Sequence, residues 1–159
     1  MSDDESFPLE PLLEFVFEAR VKVDPPLMLG EVDGAQRRIV PIASGVVDGP
    51  RLRGEVLAGG ADWQIVRPDG LTQVLARYVI RADDGTMISV VNRGVRRASP
   101  DVIRRLLAGE RVDPKLVYFR CVPTFEVGAG PHRWLTENMF VTAGKRAPDS
   151  VDIRFYVVR

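Results

Sequence analysis

The segment Asp62-Trp63-Gln64, which follows the pair Gly59-Gly60, is the first place where the sequence is suited to chemistry. Successive side chains of a strand point to opposite faces, so Asp62 and Gln64 share one face and Trp63 lies on the other. A buried aspartate can act as a general base when desolvation or an arginine tunes its pKa. The alternative is that Asp62 holds the Gly59-Gly60 turn through backbone N–H groups, with Trp63 in the core.

A second candidate is the polar face of the predicted strand 118–127, which carries Arg120 and Glu126. If this face lines the lumen, Arg120 is suited to anchoring a carboxylate, phenolate or enolate oxygen. Glu126 or Asp62 would then be suited to moving a proton. The alternative is that Arg120 and Glu126 are solvated groups on the outside of the protein.

Further polar and aromatic residues lie among apolar neighbours. Tyr78 shares a strand face with Val74 and Ile80, so its hydroxyl needs a hydrogen-bond partner. It could donate a hydrogen bond to a bound carbonyl; the alternative is a bond to a neighbouring strand or to water. The predicted catalytic residues are Asp62, Tyr78, Arg120 and Glu126; the predicted ligand-binding residues are Gln64, Trp63, Asn92, Trp134 and Asn138. We expect Asp62, Gln64, Tyr78, Arg120 and Glu126 to gather at one cavity.

Metal and cofactor chemistry has little support in the sequence. There is one cysteine, Cys121, and one histidine, His132, which excludes an internal disulfide and any cysteine-rich or multi-histidine metal site. No P-loop, dinucleotide fingerprint or serine elbow is present. We therefore predict no metal and no cofactor.

Composition narrows the partners and the compartment. The 159 residues include 22 basic and 22 acidic side chains, and a net charge of zero argues against nucleic acid or an anionic membrane as the main partner. No run approaches the ~20 apolar residues of a membrane helix, and no secretory signal is evident at the N-terminus. We expect a cytoplasmic protein with one domain over residues 1–159, of which 1–12 form a loosely ordered N-terminal segment.

Period-two alternation dominates the chain and predicts strands. The predicted strands cover residues 15–23, 37–42, 51–56, 62–67, 72–81, 86–93, 118–127, 132–141 and 151–158. One helix is predicted from Ser99 to Gly109, with Ser99 as its N-cap and Pro100 at its first position. Together these elements predict an all-β fold, a single closed antiparallel β-barrel of about eight strands with one short α-helix.

Several motifs resemble a known family. They are Gly49-Pro-Arg-Leu-Arg-Gly54, Gly59-Gly-Ala-Asp-Trp-Gln64, Leu75-Ala-Arg-Tyr78, Asn92-Arg-Gly-Val-Arg96, Tyr118-Phe-Arg120, Pro123-Thr-Phe-Glu126, Trp134-Leu135, Phe140-Val141 and Ile153-Arg-Phe-Tyr156. From about Leu13 to Arg159 the chain resembles the uncharacterised protein family 0311, or domain of unknown function 3237. It departs from the family at Thr136-Glu137, where Asn-Arg is expected, and at Cys121, where Thr is common.

The family is similar in fold to the barrels of allene oxide cyclases and dirigent proteins, so the resemblance implies a lumen that holds an apolar organic ligand. Relatives with that barrel often steer a reactive intermediate into one cyclised product. The expected function is a cofactor-independent cyclase or isomerase acting on a small apolar organic substrate. The alternatives are a non-catalytic carrier of an apolar ligand and an interaction protein with a packed barrel.

Two expectations concern packing. Trp63 and Trp134 are predicted to be largely buried, because both lie in predicted strands among apolar neighbours. A homo-oligomer, most simply a dimer, is expected because Val16, Leu57 and Val79 lie opposite in phase to the apparent core residues of their strands.

Overall fold

The structure, a computed structural model, describes residues 9–159. Its strands are β1 (Leu13–Val23), β2 (Leu27–Val32), β3 (Ala35–Asp48), β4 (Gly54–Val56), β5 (Ala61–Val66), β6 (Leu71–Ala82), β7 (Met87–Arg97), β8 (Tyr118–Glu126), β9 (Phe140–Ala147) and β10 (Ser150–Val158). One α-helix, α1 (Pro100–Leu107), follows β7, and short 3₁₀ turns cover Pro114–Leu116 and Arg133–Thr136.

All described pairings between strands are antiparallel, and they form a closed ring. The order is β1-β10-β9-β8-β7-β6, then β4 and β5, then β3, which pairs back with β1. The short strands β4 and β5 share one position because both lie between β3 and β6. The ring therefore has eight positions, and the predicted closed eight-stranded antiparallel barrel with one short helix is confirmed.

Prolines and glycines divide the chain where the strands end. Pro25-Pro26 separates β1 from β2, which pair with successive parts of β3. The β2–β3 turn places Asp33 at φ 52° and Gly34 at φ 83°, in the left-handed region that favours short polar residues and glycine. The sequence did not predict β2, because its Leu-Met-Leu run lacks a clear alternation.

The predicted strand 132–141 is wrong in its first half. Arg133–Thr136 forms a 3₁₀ turn, and the strand begins at Phe140. Local bonds favour the turn: Thr136 Oγ1 donates to the Arg133 carbonyl, and Asn138 Nδ2 donates to the Trp134 carbonyl. Gly144, which lies between the predicted strands 132–141 and 151–158, is within β9, where a Cβ would approach the Phe119 ring to 2.6 Å.

The helix α1 forms as predicted and covers one end of the barrel. Ser99 Oγ accepts a hydrogen bond from the Val102 N–H at 3.2 Å. Three apolar residues of α1, Val102, Ile103 and Leu106, pack with Val66 at the end of β5 and with Val112. Among the described residues, no helix has the length and apolar character needed to span a membrane.

The end of the barrel farther from α1 is filled by aromatic rings. Phe17 stacks on Phe155 at 4.3 Å between ring centroids, and Phe125 meets Phe140 edge to face at 5.1 Å. Trp134 is partly buried, with its ring 5.6 Å from that of Phe140. This half of the lumen is a packed core.

Two expectations about packing need correction. Trp63 is 42% exposed rather than buried, because β5 turns Asp62 and Gln64 inward and leaves the indole on the outer wall. Val16 is fully buried, because a bulge between Phe15 and Phe17 turns it inward. Val16 therefore gives no support to self-association, and the homo-oligomer stays a prediction.

The stacked aromatic pair predicts a large effect of one substitution. Phe155→Ala removes a side chain with no exposed surface and should lower the free energy of unfolding by about 3–5 kcal/mol. The matched control on the same strand is Arg154→Ala, whose side chain is 61% exposed, and it should cost less than about 1 kcal/mol. Urea unfolding measures both. Equal losses would show that this half of the lumen is not the main core.

Candidate functional site

Between the aromatic core and α1 lies a chamber with polar side chains on apolar walls. Its polar residues are Asp62, Gln64, Tyr78, Asn92, Arg96 and Arg146. Valine and isoleucine residues of β1, β3 and β10, with Phe119, form much of the remaining wall. The volume open to the centre of a water molecule is about 50 Å³. We refer to this space as the chamber.

A short chain of hydrogen bonds fixes the Asp62 carboxylate. Arg38 Nε donates to Gln64 Oε1 at 2.6 Å, and Gln64 Nε2 donates to Asp62 Oδ2 at 2.6 Å. The Leu75 N–H of the neighbouring strand donates to Asp62 Oδ1 at 3.0 Å. Asp62 therefore does not hold the Gly59-Gly60 turn, and its carboxyl group is held at the chamber wall.

The pKa of Asp62 is raised above its ordinary value of 3.8. Burial is the largest cause, because it disfavours the charged carboxylate. The hydrogen bond from Gln64 and the charges of Arg96 and Arg38 act in the opposite direction, but burial outweighs them. A carboxyl group whose pKa is raised by burial holds its proton to higher pH than an exposed one and is suited to general acid–base chemistry.

Three arginines surround the same region. Arg38 and Arg96 are 2% and 1% exposed, and Arg146 is partly buried. Burial, with the charges of Arg146 and Arg38, lowers the pKa of Arg96 to about 9. Burial and the charge of Arg146 lower the pKa of Arg38 to about 10. The chamber thus carries more positive than negative charge.

Tyr78 and Asn92 bring uncharged polar atoms to the same space. Both are buried, and neither the Tyr78 hydroxyl nor Asn92 Oδ1 has a hydrogen-bond partner among the described residues. Burial is the main cause that raises the pKa of Tyr78, so its hydroxyl stays protonated and can donate a hydrogen bond. Such unpaired buried groups are costly, which favours a ligand or ordered water as their partner.

The structure brings together only part of the predicted cluster. Asp62, Gln64, Tyr78 and Asn92 face the chamber. Arg120 and Glu126 lie on the exposed face of β8, because Phe119, Cys121, Pro123 and Phe125 occupy its inner face. The predicted convergence of Arg120 and Glu126 with Asp62 is therefore wrong. A role for either residue in chemistry stays a prediction.

The other predicted ligand-binding residues lie away from the chamber. Trp63 is on the outer wall, and Asn138 donates to the Trp134 carbonyl beside the aromatic core. Trp134 carries the Arg51 guanidinium 3.9 Å above its ring. Contact of these three residues with a chamber ligand is not supported by their positions.

The sequence analysis missed Arg38, Arg96 and Arg146. A signal was present, because Arg38 alternates in phase with Val40 and Ile42, and Arg96 in phase with Asn92. Arginines are usually exposed, so alternation alone does not single out a buried one.

Neither the cysteine nor a metal site among the described residues adds to the chemistry of the chamber. Burial is the main cause that raises the pKa of the Cys121 thiol to about 12, so this cysteine is a poor nucleophile. Within residues 9–159, no group of three or more His, Cys, Asp and Glu side chains is arranged to hold a metal ion.

A larger groove lies on the outer surface, beside Arg97, Lys115, Tyr118 and Arg120, with a volume of about 890 Å³. It is open to solvent, and its charged side chains are solvated. The chamber is smaller, but it holds buried polar atoms without partners, so we take the chamber as the candidate site.

A model of a family described as "protein of unknown function (DUF3237)" matches residues 11–158. The chain belongs to this family. A UPF0311 protein of Clostridium acetobutylicum is 42% identical over 146 residues, covering 91% of this chain and 92% of that protein. The crystal structure of a β-barrel-like protein from Acinetobacter baumannii is 33% identical with a TM-score of 0.84, covering 97% of this chain and 99% of the other.

A more distant similarity leads to fungal proteins. The hydroalkoxylation enzyme phnH of Penicillium herquei is 31% identical over 85 residues, covering 54% of this chain and 56% of that enzyme. The crystal structure of an enzyme from the same organism has a TM-score of 0.72 at 19% identity, covering 97% of this chain and 98% of the other. At this identity the structural likeness shows the fold alone.

The raised pKa of Asp62 predicts a particular dependence of stability on pH. Above pH 3.8 the folded chain holds the Asp62 proton more tightly than the unfolded chain. The free energy of unfolding should therefore fall as pH rises from 3.8 through the raised native pKa. Urea unfolding from pH 2 to about 8 should show that wild type loses stability relative to Asp62→Asn above pH 3.8.

Asp84→Asn provides a control of opposite sign. Hydrogen bonds from the Thr86 backbone and side chain are the main causes that lower the Asp84 pKa to about 2. Its contribution to stability should therefore appear as pH rises from about 2 to 3.8 and change little above. A wild-type advantage over Asp62→Asn that grew with pH would mean that the arginines, not burial, dominate at Asp62.

Proposed function

We propose that this protein binds a small organic molecule in the chamber and converts it by cofactor-independent acid–base chemistry, in a cyclisation or isomerisation. The observation that carries the proposal is the Asp62 carboxyl group, held at the chamber wall by Gln64 and Leu75 with a raised pKa. Placing a tuned proton donor and acceptor beside apolar walls is the arrangement that such chemistry requires.

The hydroalkoxylation named for the Penicillium herquei relative indicates one such reaction. In an intramolecular hydroalkoxylation, a hydroxyl adds across an alkene of the same molecule and closes a ring. Neutral Asp62 donates its proton to one alkene carbon while the hydroxyl oxygen bonds to the other carbon. The resulting carboxylate takes the hydroxyl proton, so atoms and charge balance and Asp62 is restored.

The other chamber residues supply orientation. The unpaired Tyr78 hydroxyl donates a hydrogen bond to a substrate oxygen, and Asn92 Oδ1 accepts one from a substrate hydroxyl. The bonds from Gln64 Nε2 and the Leu75 N–H to the Asp62 oxygens fix the plane of the carboxyl group. A fixed donor costs no reorganisation when the reaction occurs.

The second candidate function is a non-catalytic carrier, and the apolar side chains of the chamber wall favour it. A carrier needs the cavity but not the tuned carboxyl group. A fully packed interaction protein fits less well, because the chamber leaves polar atoms without partners. The two candidates therefore separate on whether Asp62 matters for turnover.

The test is a panel of phenols and enols that carry an alkene in the same molecule. Ring closure is followed by chiral chromatography, and uptake of deuterium at carbon from D₂O reports the proton step. Asp62→Asn should lower kcat/KM by about 10²–10⁴-fold while calorimetry shows that the compound still binds. The matched control is Glu55→Gln, which changes an exposed carboxylate on the outer wall paired with Arg81 and should leave the rate unchanged.

Turnover that persists in Asp62→Asn would contradict the proposed role of Asp62. Compounds that bind in the chamber but are never converted would favour the carrier.

A further inference from the structure

We propose that the ligand of the chamber is an organic anion, with a carboxylate, phenolate or enolate head on an apolar body. The inference deepens the proposed function, on which it rests for the place of the ligand. The sequence analysis assigned this task to Arg120, which lies outside the barrel. The residues that could perform it are Arg38, Arg96 and Arg146.

Positive groups outnumber negative groups in the buried part of the site. Three guanidinium groups lie near one carboxyl group, that of Asp62, whose raised pKa favours its neutral form. The salt bridges among residues 9–159 all involve other side chains, so none of the three arginines lies within 4.0 Å of a described carboxylate oxygen. Buried charges of one sign are costly unless an opposite charge joins them.

Several hydrogen-bond donors of these arginines are buried and have no partner among the described residues. Four buried nitrogens of these three arginines lack partners within the described chain: Arg96 Nε, Arg96 Nη2, Arg38 Nη2 and Arg146 Nη1. Two of them are on one guanidinium, which offers the fork that suits a carboxylate. Arg96 is 1% exposed and lines the cavity, so its donors are not solvated by bulk water.

The three guanidinium groups also repel one another. Burial is the main cause that lowers the pKa values of Arg96 and Arg38. The charges of Arg146 and Arg38 lower the pKa of Arg96 further, and the charge of Arg146 lowers that of Arg38 further. An anion between them would attract all three groups at once and reverse these effects. The site is therefore incomplete without a negative charge.

The walls decide what kind of anion fits. Val21, Val40, Val151 and Ile153 also line the chamber, and the centroid of the Phe119 ring lies 5.6 Å from the Arg96 guanidinium carbon. The cavity has room for roughly four water molecules, about the space of a small aromatic acid. An apolar body with one anionic oxygen group matches these walls better than an inorganic anion, which would leave them uncovered.

The experiment compares benzoate with benzamide, which has nearly the same shape without the charge. Thermal shift and calorimetry at pH 7 should show benzoate binding at least about tenfold tighter than benzamide, with inorganic phosphate giving no comparable shift. Arg96→Met, which keeps an unbranched apolar side chain like the stem of arginine and removes the guanidinium charge, should lose most benzoate binding. Arg97→Met is the matched control, because Arg97 is exposed on the outer wall beside Tyr118.

Asp62→Asn separates this inference from the proposed function. It removes a negative charge near the arginines, so it should bind benzoate at least as tightly as wild type even where turnover is lost. Any general damage to the fold would weaken binding instead.

The inference is overturned if benzamide or phosphate binds as well as benzoate, if neither aromatic compound binds at millimolar concentration, or if Arg96→Met leaves benzoate binding unchanged. Benzoate binding without turnover of any organic anion would leave the anion site in place and contradict only the proposed catalysis.

Discussion

Backbone hydrogen bonds between β1 and β3 close the sheet, with Glu18 opposite Asp48 and Lys22 opposite Ser44. Closure removes the free edges of a sheet and gives each strand one inner and one outer face. Side chains on the inner face then have no route to bulk water except through the ends of the barrel. The burial of Asp62, Arg38 and Arg96 depends on this closure, because their positions in the alternation of their strands place them on the inner face.

The lumen is divided along its length. Phe17, Phe125, Phe140 and Phe155 fill one half with well-packed rings, and this half stabilises the fold. In the other half, α1 closes the end over Val66, and the chamber beneath it holds charge. Replacing a buried charged cluster by apolar side chains is often neutral or stabilising, so stability does not explain why arginines occupy this half. The proposed anion site would account for them.

Alternation predicted most of the fold from the sequence, because a strand with one apolar face must turn that face toward the core. It failed where local bonds compete, as at Arg133–Thr136, where Thr136 and Asn138 side chains stabilise a turn. It also misled at Val16, because a bulge breaks the period by one residue. For the site, it predicted Asp62, Gln64, Tyr78 and Asn92 but not the arginines. It placed Arg120 at the cavity, although Arg120 lies on the exposed face of β8, and it did not place Arg96 there, although Arg96 lines the chamber.

The structural likeness to the Penicillium herquei enzyme, at 19% identity, extends over nearly the whole chain and concerns the arrangement of strands. The chemistry proposed for this chain would fall to the few inner positions that the packed half does not need. In this chain, Arg38 of β3 lies opposite Gln64 of β5 in the strand ladder. The hydrogen bonds from Arg38 to Gln64 and from Gln64 to Asp62 therefore link the two strands. A change at any of the three alters the carboxyl group without touching the aromatic core. This separation lets the barrel keep its stability while its inner polar residues change.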